Sequence, residues 1–469
     1  MSYEHVCELK LAKVESACPH SERQLTEIMN AESTSRSQLS AEDELAEICQ
    51  RLIRFDTSNF GNNEGPGERA AAEYVAELIT EVGLEPIILE SAPGRSNVIV
   101  RVEGTDKSLG ALIVHGHLDV VPAFKHEWSL DPFAAELKDG MIWGRGAVDM
   151  KDMDAMILSV LRQMQRTNTR PRRDLIFAFF ADEEAGGDYG ASWLVEHHPE
   201  LFEGAAEAIS EVGGFSATID GKRAYLLQTA EKGIAWLKLT ANGRAGHGSQ
   251  ISEANAVTRL AQAVTRIGEY QWPISYTDTT RAFLEGVSTM TGIEFTDDNP
   301  QILLHELGNV ARFVGATLQN TSNPTVLSAG YKHNVIPGSA EALIDARTLP
   351  GQHEEVLAKL RELAGPDVVL SSIHEDRALE VPFAGNLVDQ MVAALGREDP
   401  EAIVLPYMLS GGTDNKSLSR LGITGYGFAP LRLPAELDFT GMFHGVDERV
   451  PVDSLKFGTR VLRDLLTTY

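Results

Sequence analysis

The residues best suited to chemistry follow short apolar runs of the sequence. His117 and Asp119 come directly after the run 111–114, which is short and bounded enough to be a buried strand. Imidazole and carboxylate groups are side chains that bind zinc. Taken alone, the stretch has an ordinary alternative, since His115 and His117 can also be polar residues at a strand end with hydrogen bonds of their own. The rest of the chain has to decide between a metal site and this alternative.

Three acidic residues occupy similar positions. Glu183 and Glu184 follow the apolar run 175–180 and lead into a glycine-rich turn, and Glu211 repeats the arrangement of strand, acid and glycines. In an extended segment adjacent side chains point in opposite directions, so we expect one carboxylate to bind a metal and its neighbour to reach solvent or substrate. An acidic pair before a turn is usually a solvated surface, but its position after a buried strand favours function.

Two further candidates lie in glycine-containing turns. Asp149 follows Gly144 and Gly146 at the start of an expected helix, where the alternative role is a helix cap. His444 lies in the turn 443–449 near the end of the chain. Alone, a histidine in such a turn is more often a hydrogen-bonded loop residue than a metal ligand.

The elements that must position these side chains alternate between strands and helices. We predict strands at 87–89, 97–102, 111–115 and 175–180, and helices at 45–53, 68–82 and 150–165. This alternation predicts an α/β fold in which helices cover a mostly parallel central sheet. Functional groups of such sheets gather just past the carboxyl ends of the strands.

Length and charge bound the class of protein. A chain of 469 residues exceeds what one hydrophobic core supports, so we expect two domains. The 41 basic and 68 acidic residues give a net charge of −27, which would repel nucleic acids and anionic membrane surfaces. The few cysteines form no disulfide framework, and neither a signal-peptide core nor an apolar run of membrane-spanning length is evident, so a cytoplasmic location is expected.

Residues 1–38 are polar and are interpreted as an N-terminal extension. They contain Cys7, Cys18 and His20, whose spacing matches no zinc-binding pattern, so we treat these three residues as structural. The asparagine of the segment 320–322 matches a glycosylation acceptor, but without a secretion signal we expect no glycosylation there.

Five segments together resemble the dizinc aminoacylase and carboxypeptidase family. This family includes carboxypeptidase S, aminoacylase, glutamate carboxypeptidase, acetylornithine deacetylase and succinyl-diaminopimelate desuccinylase. The matching segments are 117–122 (HLDVVP), 144–151 (GRGAVDMK), 182–187 (DEEAGG), 210–214 (SEVGG) and 443–445 (FHG). They occur in the family's order and cover the chain from about residue 42 to the end, which makes the set far more specific than any one segment.

The resemblance implies a three-layer α/β/α catalytic domain with a mostly parallel sheet. This domain would comprise residues 39–231 and 349–469. Residues 232–348 would form a smaller α+β lid, which is also the family's dimerisation domain. Within it, the segment 273–323 does not follow a short-lid pattern; it is expected to be helical and to shape the substrate pocket.

The resemblance also implies the metal ligands. His117 and Glu211 look like ligands of one zinc ion, Glu184 and His444 like ligands of the other, and Asp149 like the carboxylate that bridges both. Because oxygen-rich sites discriminate weakly between such ions, Co²⁺ and Mn²⁺ are alternatives.

Two carboxylates beside the ligands have other implied roles. Asp119 would orient the imidazole of His117 from behind, while His115 is interpreted as structural. Glu183 would be the general base that takes a proton from the attacking water and passes it to the leaving nitrogen. The implied reaction is amide hydrolysis without a covalent enzyme intermediate, and no serine or cysteine nucleophile motif competes with this interpretation.

Further residues match the family's substrate contacts. His247 resembles the histidine that reaches the active site of the partner subunit, where an imidazole would help to stabilise the oxyanion; a loop histidine on the surface is the alternative. Asn334 and Arg347 resemble residues that hold the substrate's terminal carboxylate, to which a planar guanidinium can donate two parallel hydrogen bonds. The substrate loop would contain Gly411, Gly412 and Thr413.

The resulting hypothesis is a cytoplasmic, homodimeric dizinc amidohydrolase. Glu211, rather than an aspartate at its position, favours N-acyl-amino acids or short peptides with a free carboxyl end as substrates. A dipeptidase or a biosynthetic deacylase is the alternative among enzymes. A non-catalytic, metal-dependent binding protein on the same scaffold is the alternative from another class, although such a protein would have no chemical need for Glu183.

Overall fold

A computed structural model describes residues 39–401 and 403–469. The extension expected at residues 1–38 therefore lies outside the described residues, together with Cys7, Cys18 and His20. The strands are β1 Ile87–Ala92, β2 Arg95–Val102, β3 Ala111–His117, β4 Glu136–Lys138, β5 Met141–Trp143, β6 Leu175–Phe180, β7 Ala205–Ser210, β8 Phe215–Ile219, β9 Lys222–Glu231, β10 Gly233–Asn242, β11 Gly246–His247, β12 Thr321–Ala329, β13 Val335–Ile336, β14 Ser339–Thr348, β15 Val368–Asp376, β16 Leu379–Glu380, β17 Ile403–Leu409, β18 Thr424–Gly427 and β19 Arg449–Pro451. The helices are α1 Ala41–Ile53, α2 Arg69–Thr80, α3 Lys151–Arg166, α4 Ala191–His197, α5 Ala256–Gly268, α6 Asp278–Thr291, α7 Pro300–His305, α8 Ala311–Gly315, α9 His353–Ala364, α10 Asn386–Glu398, α11 Asn415–Ser419 and α12 Val452–Thr468.

The apolar runs of the sequence build a ten-stranded central sheet. Its order is β1-β2-β6-β3-β7-β18-β9-β16, and β8 and β17 also pair with β9. Strand β3 pairs in parallel with both β6 and β7, whereas the β1 edge is antiparallel. The carboxyl ends of β3, β6 and β7 therefore meet at one edge of the sheet, and the segments that follow them lie side by side.

Helices cover both faces of this sheet. Phe177 and Phe179 of β6 point into the larger core, with α1, α2, α3, α10 and α12, while Ile176 and Phe180 point into a smaller core with α4 and α11. Because both faces are covered, the whole of β6 is buried, which explains why its sequence is apolar without alternation. The predicted α/β/α fold is confirmed. No helix within residues 39–401 and 403–469 combines the length and apolar character that crossing a membrane requires.

A second, antiparallel sheet has the strand order β12-β14-β10-β15. Its core is separate and contains Leu237 and the apolar sides of α5 and α9. We expected this unit at 232–348, but the sheet continues to Asp376 at the end of β15. The boundary at 348 falls before α9 and β15, which bury Val356 and Val368 in the same core.

The inserted segment, defined as 278–318 and containing α6, α7 and α8, lies between strands of the second sheet in the chain but packs elsewhere. Phe283, Leu303 and Val314 are buried in the larger core of the first sheet. The helical prediction for this region is confirmed. Its apolar residues are buried against the central sheet, so this part of the expected lid does not belong to the second sheet.

Candidate metal centre

Loops at the carboxyl edge of the central sheet bring six of the predicted residues together. One residue ends β3, three follow β6 or β7, one precedes α3, and one lies in the turn before β19. They are His117, Asp149, Glu183, Glu184, Glu211 and His444. We call this group the carboxylate cluster.

Asp149 lies between the two histidines of the cluster. Its Oδ1 is 3.1 Å from Nε2 of His117, and its Oδ2 is 3.3 Å from Nε2 of His444. Glu211 approaches His117 at 3.4 Å, and Glu184 approaches His444 at 3.0 Å. Each imidazole therefore has, within 3.4 Å, one oxygen of Asp149 and one further carboxylate.

Glu183 lies on the His117 side of the cluster, with its Oε2 3.8 Å from Nε2 of that histidine. The extended conformation expected for Glu183 and Glu184 is wrong: the two residues begin a short 3-10 helix, because Asp182 adopts the left-handed conformation with φ 65°. Their side chains still diverge, since Glu184 faces His444 instead.

The carboxylates of the cluster repel one another in a buried space. Burial, followed by the charge of Glu211, raises the pKa of Glu183 well above its usual value. Burial also raises the pKa of Glu211 to about 8, and burial together with Asp149 raises the pKa of Glu184. Burial acts on Asp149 in the same direction, but hydrogen bonds from the two imidazoles lower its pKa. Such a concentration of negative charge is what a bound divalent cation neutralises.

Backbone geometry around the cluster is unusual for L residues. Asp182, Val212 and His444 have φ values of 65°, 51° and 57°, and each lies within the cluster or next to one of its members. Left-handed conformations of such residues are sparsely populated and concentrate at functional sites. A Cβ at Gly213 would lie 1.9 Å from the carbonyl oxygen of Gly427, so glycine is required after this turn. The peptide bond that follows Asp149 is cis.

Asp119, which we expected to orient His117, makes further contacts with the turn at 183–184. The atom nearest to Nδ1 of His117 is the carbonyl oxygen of Asp119, at 3.0 Å, while its carboxylate is 3.5 Å away. The carboxylate accepts the backbone N–H groups of Glu183 and Glu184, both at 3.1 Å. Asp119 therefore holds the turn that carries the two glutamates, in addition to contacting the imidazole.

Behind Asp119 lies a buried hydrogen-bond network that sequence reasoning missed. The side-chain amide of Asn59 donates to Asp119 and to Asp182, at 2.9 Å each. Arg95 donates to Asn59 at 2.9 Å and forms an ion pair with Glu68, and both charged side chains are almost fully buried. The available sequence signal was an arginine directly before the residues that lead into the apolar run 98–100. His115 is likewise buried, 3.0 Å from Asn415.

Some of the predicted substrate residues line a cavity of about 530 Å³ beside the cluster. Arg347, Gly411 and Gly412 are among its lining residues. The guanidinium of Arg347 makes two hydrogen bonds to Asp345, at 2.7 and 3.0 Å. Thr413 instead bonds to buried Glu231 through its hydroxyl and its N–H, at 2.7 and 3.0 Å, and so supports the loop from behind.

His247 and Asn334 are not brought to the cluster by this chain. In the described part of the chain, neither residue lines the cavity. They lie on the ribbon formed by β11 and β13, where both are exposed and the N–H of Gly248 donates to the carbonyl of Asn334 at 2.9 Å. Nδ1 of His247 is 2.8 Å from the hydroxyl of Ser249.

Comparison with known proteins agrees with the resemblance seen in the five segments. The model of peptidase family M20/M25/M40 matches residues 113–468. N-fatty-acyl-amino acid synthase/hydrolase PM20D1 of Xenopus tropicalis is 27% identical over 442 residues, covering 88% of this chain and 83% of the relative. Aminoacylase-1 of Homo sapiens is 28% identical over 397 residues, covering 82% of this chain and 86% of the relative.

A solved structure shares the fold. The M20 family metallo-carboxypeptidase Sso-CP2 from Sulfolobus solfataricus superposes with a TM-score of 0.70 at 17% identity, covering 91% of this chain and 99% of that one. The family match spans most of the chain. The protein therefore belongs to peptidase family M20/M25/M40 and is a metal-dependent hydrolase of peptide or amide bonds.

Proposed function

We propose that this enzyme hydrolyses the amide bond of N-acyl-amino acids, or of short peptides with a free terminal carboxylate, with two zinc ions and Glu183 as general base. The observation that carries this proposal is the position of Asp149, which presents one oxygen to His117 and the other to His444. Each side of this arrangement has a further carboxylate, so the donors fall into two sets that share one residue.

The donor sets fit two divalent cations. His117, Asp149 and Glu211 would hold one ion, and Asp149, Glu184 and His444 the other. Imidazole and carboxylate suit zinc, and three carboxylates offset most of the charge of two such ions in a buried site. The raised pKa values of Glu184 and Glu211 support a bound cation, since their cause is burial together with neighbouring negative charge. Co²⁺ or Mn²⁺ would suit the same donors.

Glu183 is left over from these two sets and has the position of a base. Metal ions bound here would polarise the scissile carbonyl and lower the pKa of water. The carboxylate of Glu183 lines the cavity, so it can accept a proton from an attacking water molecule and deliver it to the leaving nitrogen. Asp119 and Asn59 keep this carboxylate in place through the turn that carries it.

The cavity also holds groups suited to a substrate carboxylate. Asp345 occupies the Nε and Nη2 side of Arg347, which fixes the plane of the guanidinium. The Nη1 and Nη2 side would then donate two parallel hydrogen bonds to a terminal carboxylate. Backbone amides of Gly411 and Gly412 would bind the same anion, with Thr413 holding their loop through Glu231.

The second sheet would serve as a lid and as the dimerisation domain. Its residues 233–268 and 321–376 form the unit, and the catalytic domain would comprise the rest of the described chain, including the inserted segment. The exposed positions of His247 and Asn334, away from their own cavity, support a site that a second copy of the chain completes. A cytoplasmic location is proposed because the few cysteines form no disulfide framework. Since a net charge of −27 would repel nucleic acids and anionic membranes, we propose that the partners are small-molecule substrates.

A screen tests the proposal directly. Purified enzyme loaded with zinc is incubated with N-acyl-amino acids and dipeptides, products are measured by mass spectrometry, and bound metal is counted by elemental analysis. We expect two metal ions per chain and hydrolysis of N-acyl-amino acids. Turnover of dipeptides alone would favour the dipeptidase, and two bound metal ions without any turnover would favour the non-catalytic binding protein.

A further inference from the structure

The cavity beside the carboxylate cluster has a lining of two chemical kinds. Charged groups of the cluster and Arg347 contribute one part. The other part is apolar and includes Val212, Ile234, Trp236, Phe313, Leu409 and Phe443. Apolar lining residues contact the apolar part of a ligand, whereas a few polar groups fix its orientation. The apolar part of this lining therefore indicates a substrate with an apolar group.

Phe313 is contributed by α8 of the inserted segment. Its neighbour Val314 is buried in the larger core, whereas Phe313 itself is only partly buried and lines the cavity. Its ring stacks on that of Phe443 at a centroid distance of 6.2 Å and an interplanar angle of 19°. The ring centroids of Tyr407 and Phe215 lie 5.9 and 6.5 Å from that of Phe313. The ring is thus held in place and keeps part of its surface for a ligand.

Lys232 fixes the end of the inserted segment. Its side chain is fully buried, and its ammonium donates to the carbonyl oxygens of Ala316 and Gln319 at 3.0 and 2.8 Å, with the hydroxyl of Thr321 at 3.5 Å. Three acceptors match the three N–H groups of an ammonium. Burying a lysine is costly unless it is hydrogen-bonded, so these contacts are needed for its burial. They hold the end of the inserted segment against Lys232, which directly precedes β10 of the second sheet.

We propose that the inserted segment forms a specificity-determining wall of the substrate cavity, in which Phe313 contacts a bulky apolar group of the substrate and Lys232 positions the wall. This inference rests on the proposed function, because it assumes an N-acyl-amino acid or peptide substrate. The apolar group is either the acyl chain or the side chain beside the terminal carboxylate. Both offer the same chemistry to Phe313, and substrates that vary one at a time distinguish them.

The test uses two substrate series and the zinc-loaded full chain. In one series a single amino acid carries straight acyl chains of increasing length. In the other an acetyl group is kept while the amino acid side chain grows from methyl to isobutyl to benzyl. For each substrate kcat/KM is measured, and the ratio of the largest to the smallest member is the preference of the enzyme.

Phe313→Ala is expected to lower this preference about tenfold in one of the series, because the apolar contact is lost only for the large substrates. Phe313→Leu should give an intermediate value. Phe295→Ala is the matched control: Phe295 belongs to the same segment and is also partly buried, but it packs edge-on against Tyr276 at 5.5 Å rather than lining the cavity. The series in which the preference falls identifies the half of the substrate that the wall contacts.

Lys232→Met retains most of the length of the side chain but removes its hydrogen-bond donors. We expect the same fall in preference, seen as a higher KM for large substrates, with kcat for the smallest substrate and the metal content unchanged. An unchanged preference in Lys232→Met would overturn the positioning role of Lys232. If the Lys232→Met variant does not fold, the Phe313 variants still test whether the inserted segment contacts the substrate.

The inference is wrong if Phe313→Ala leaves the preference unchanged in both series, raises it, or lowers it no more than Phe295→Ala does. If the proposed function is wrong, the wild-type enzyme will hydrolyse no member of either series. The inference about the inserted segment would then be wrong as well, but this result differs from an unchanged preference in Phe313→Ala.

Discussion

The carboxylate cluster and the β11/β13 ribbon both carry predicted site residues, but they differ in what surrounds these residues. Loops from several elements surround the cluster, and its ligand-type side chains contact one another within 3.0 to 3.4 Å. His117 and the carboxylates are buried or nearly so, whereas the side chain of His444 is 58% exposed but is held by Asp149 and Glu184. On the ribbon, His247 is exposed and its imidazole contacts Ser249, two residues away. Within one chain, therefore, the residues of the cluster contact one another, whereas His247 of the ribbon contacts no other predicted site residue.

The difference follows from the energetics of burial. Buried charges are tolerated only when they are paired and hydrogen-bonded, so the cluster requires supporting residues such as Asn59, Arg95 and Asp119. An exposed loop has no such requirement. Groups that stabilise a transition state must nevertheless be held in place before the reaction, so His247 can act only if another surface fixes it.

The largest expected effect is at Glu183. Glu183→Gln removes the base but preserves the shape of the side chain, so we expect kcat to fall roughly a thousandfold while zinc content is unchanged. Steady-state kinetics and elemental analysis measure both quantities. Glu85→Gln, at an exposed position, is the control and should behave like the wild type. Turnover within a few fold of wild type, with metal retained, would show that the cluster acts without this base.

The ribbon is tested by His247→Ala. If a second copy presents this imidazole to the active site, kcat should fall about a hundredfold, as is typical when one group that stabilises the oxyanion is removed. Metal content should stay the same, since His247 does not contact the cluster. Wild-type activity in this variant would leave His247 as an ordinary surface residue.

Mixing two inactive variants tests whether His247 of one copy completes the active site of the other. A dimer of one Glu183→Gln chain and one His247→Ala chain contains one complete site if His247 acts across the interface. Random association of equal amounts should then restore about a quarter of the wild-type activity. No recovery after verified subunit exchange would contradict the exchange of residues between copies.

The network behind the cluster should have a smaller effect. Asn59→Ala removes both hydrogen bonds to Asp119 and Asp182, so the turn that carries Glu183 and Glu184 loses support. We expect zinc affinity to weaken 10- to 100-fold, which is about what outer partners of metal ligands contribute. Competition with a chelating dye measures this affinity. Asn309→Ala, an exposed asparagine of the inserted segment, is the control, and equal affinities of the two variants would exclude a supporting role.

The last prediction concerns the pH dependence of zinc affinity, and its expected change for each pH unit is the smallest of the series. In the metal-free protein the pKa of Glu211 is raised to about 8, mainly by burial, and hydrogen bonds to Asp149 and Glu184 raise the pKa of His444 to about 11. Below pH 8 both groups hold protons that zinc must displace, so apparent affinity should rise at least about tenfold for each pH unit between 6 and 8. The same competition assay at several pH values measures the slope. A flat profile would mean that these residues release no proton on metal binding.

The fold and the family were predictable because their signals are local. The uninterrupted apolar run of β6 indicated a strand buried on both faces, and the candidates at Glu184 and Glu211 followed such runs. Since the carboxyl ends of neighbouring parallel strands share an edge of the sheet, the proximity of Glu184 and Glu211 could be expected from the sequence. The boundary at 348 leaves out α9 and β15, which belong to the second sheet and its core, because the local pattern of a segment does not show which sheet it joins.

The sequence by itself determined the kinds of element, the order of the five segments and the side chains able to bind a metal, because these are properties of short stretches. Only the tertiary structure decided that Asn59 donates to Asp119 from 60 residues away, that Phe313 is the ring of the inserted segment that lines the cavity, and that Lys232 bonds to Ala316. Hydrogen-bond partners and cavity walls depend on where distant segments meet. That depends on the packing of the whole chain and not on local periodicity.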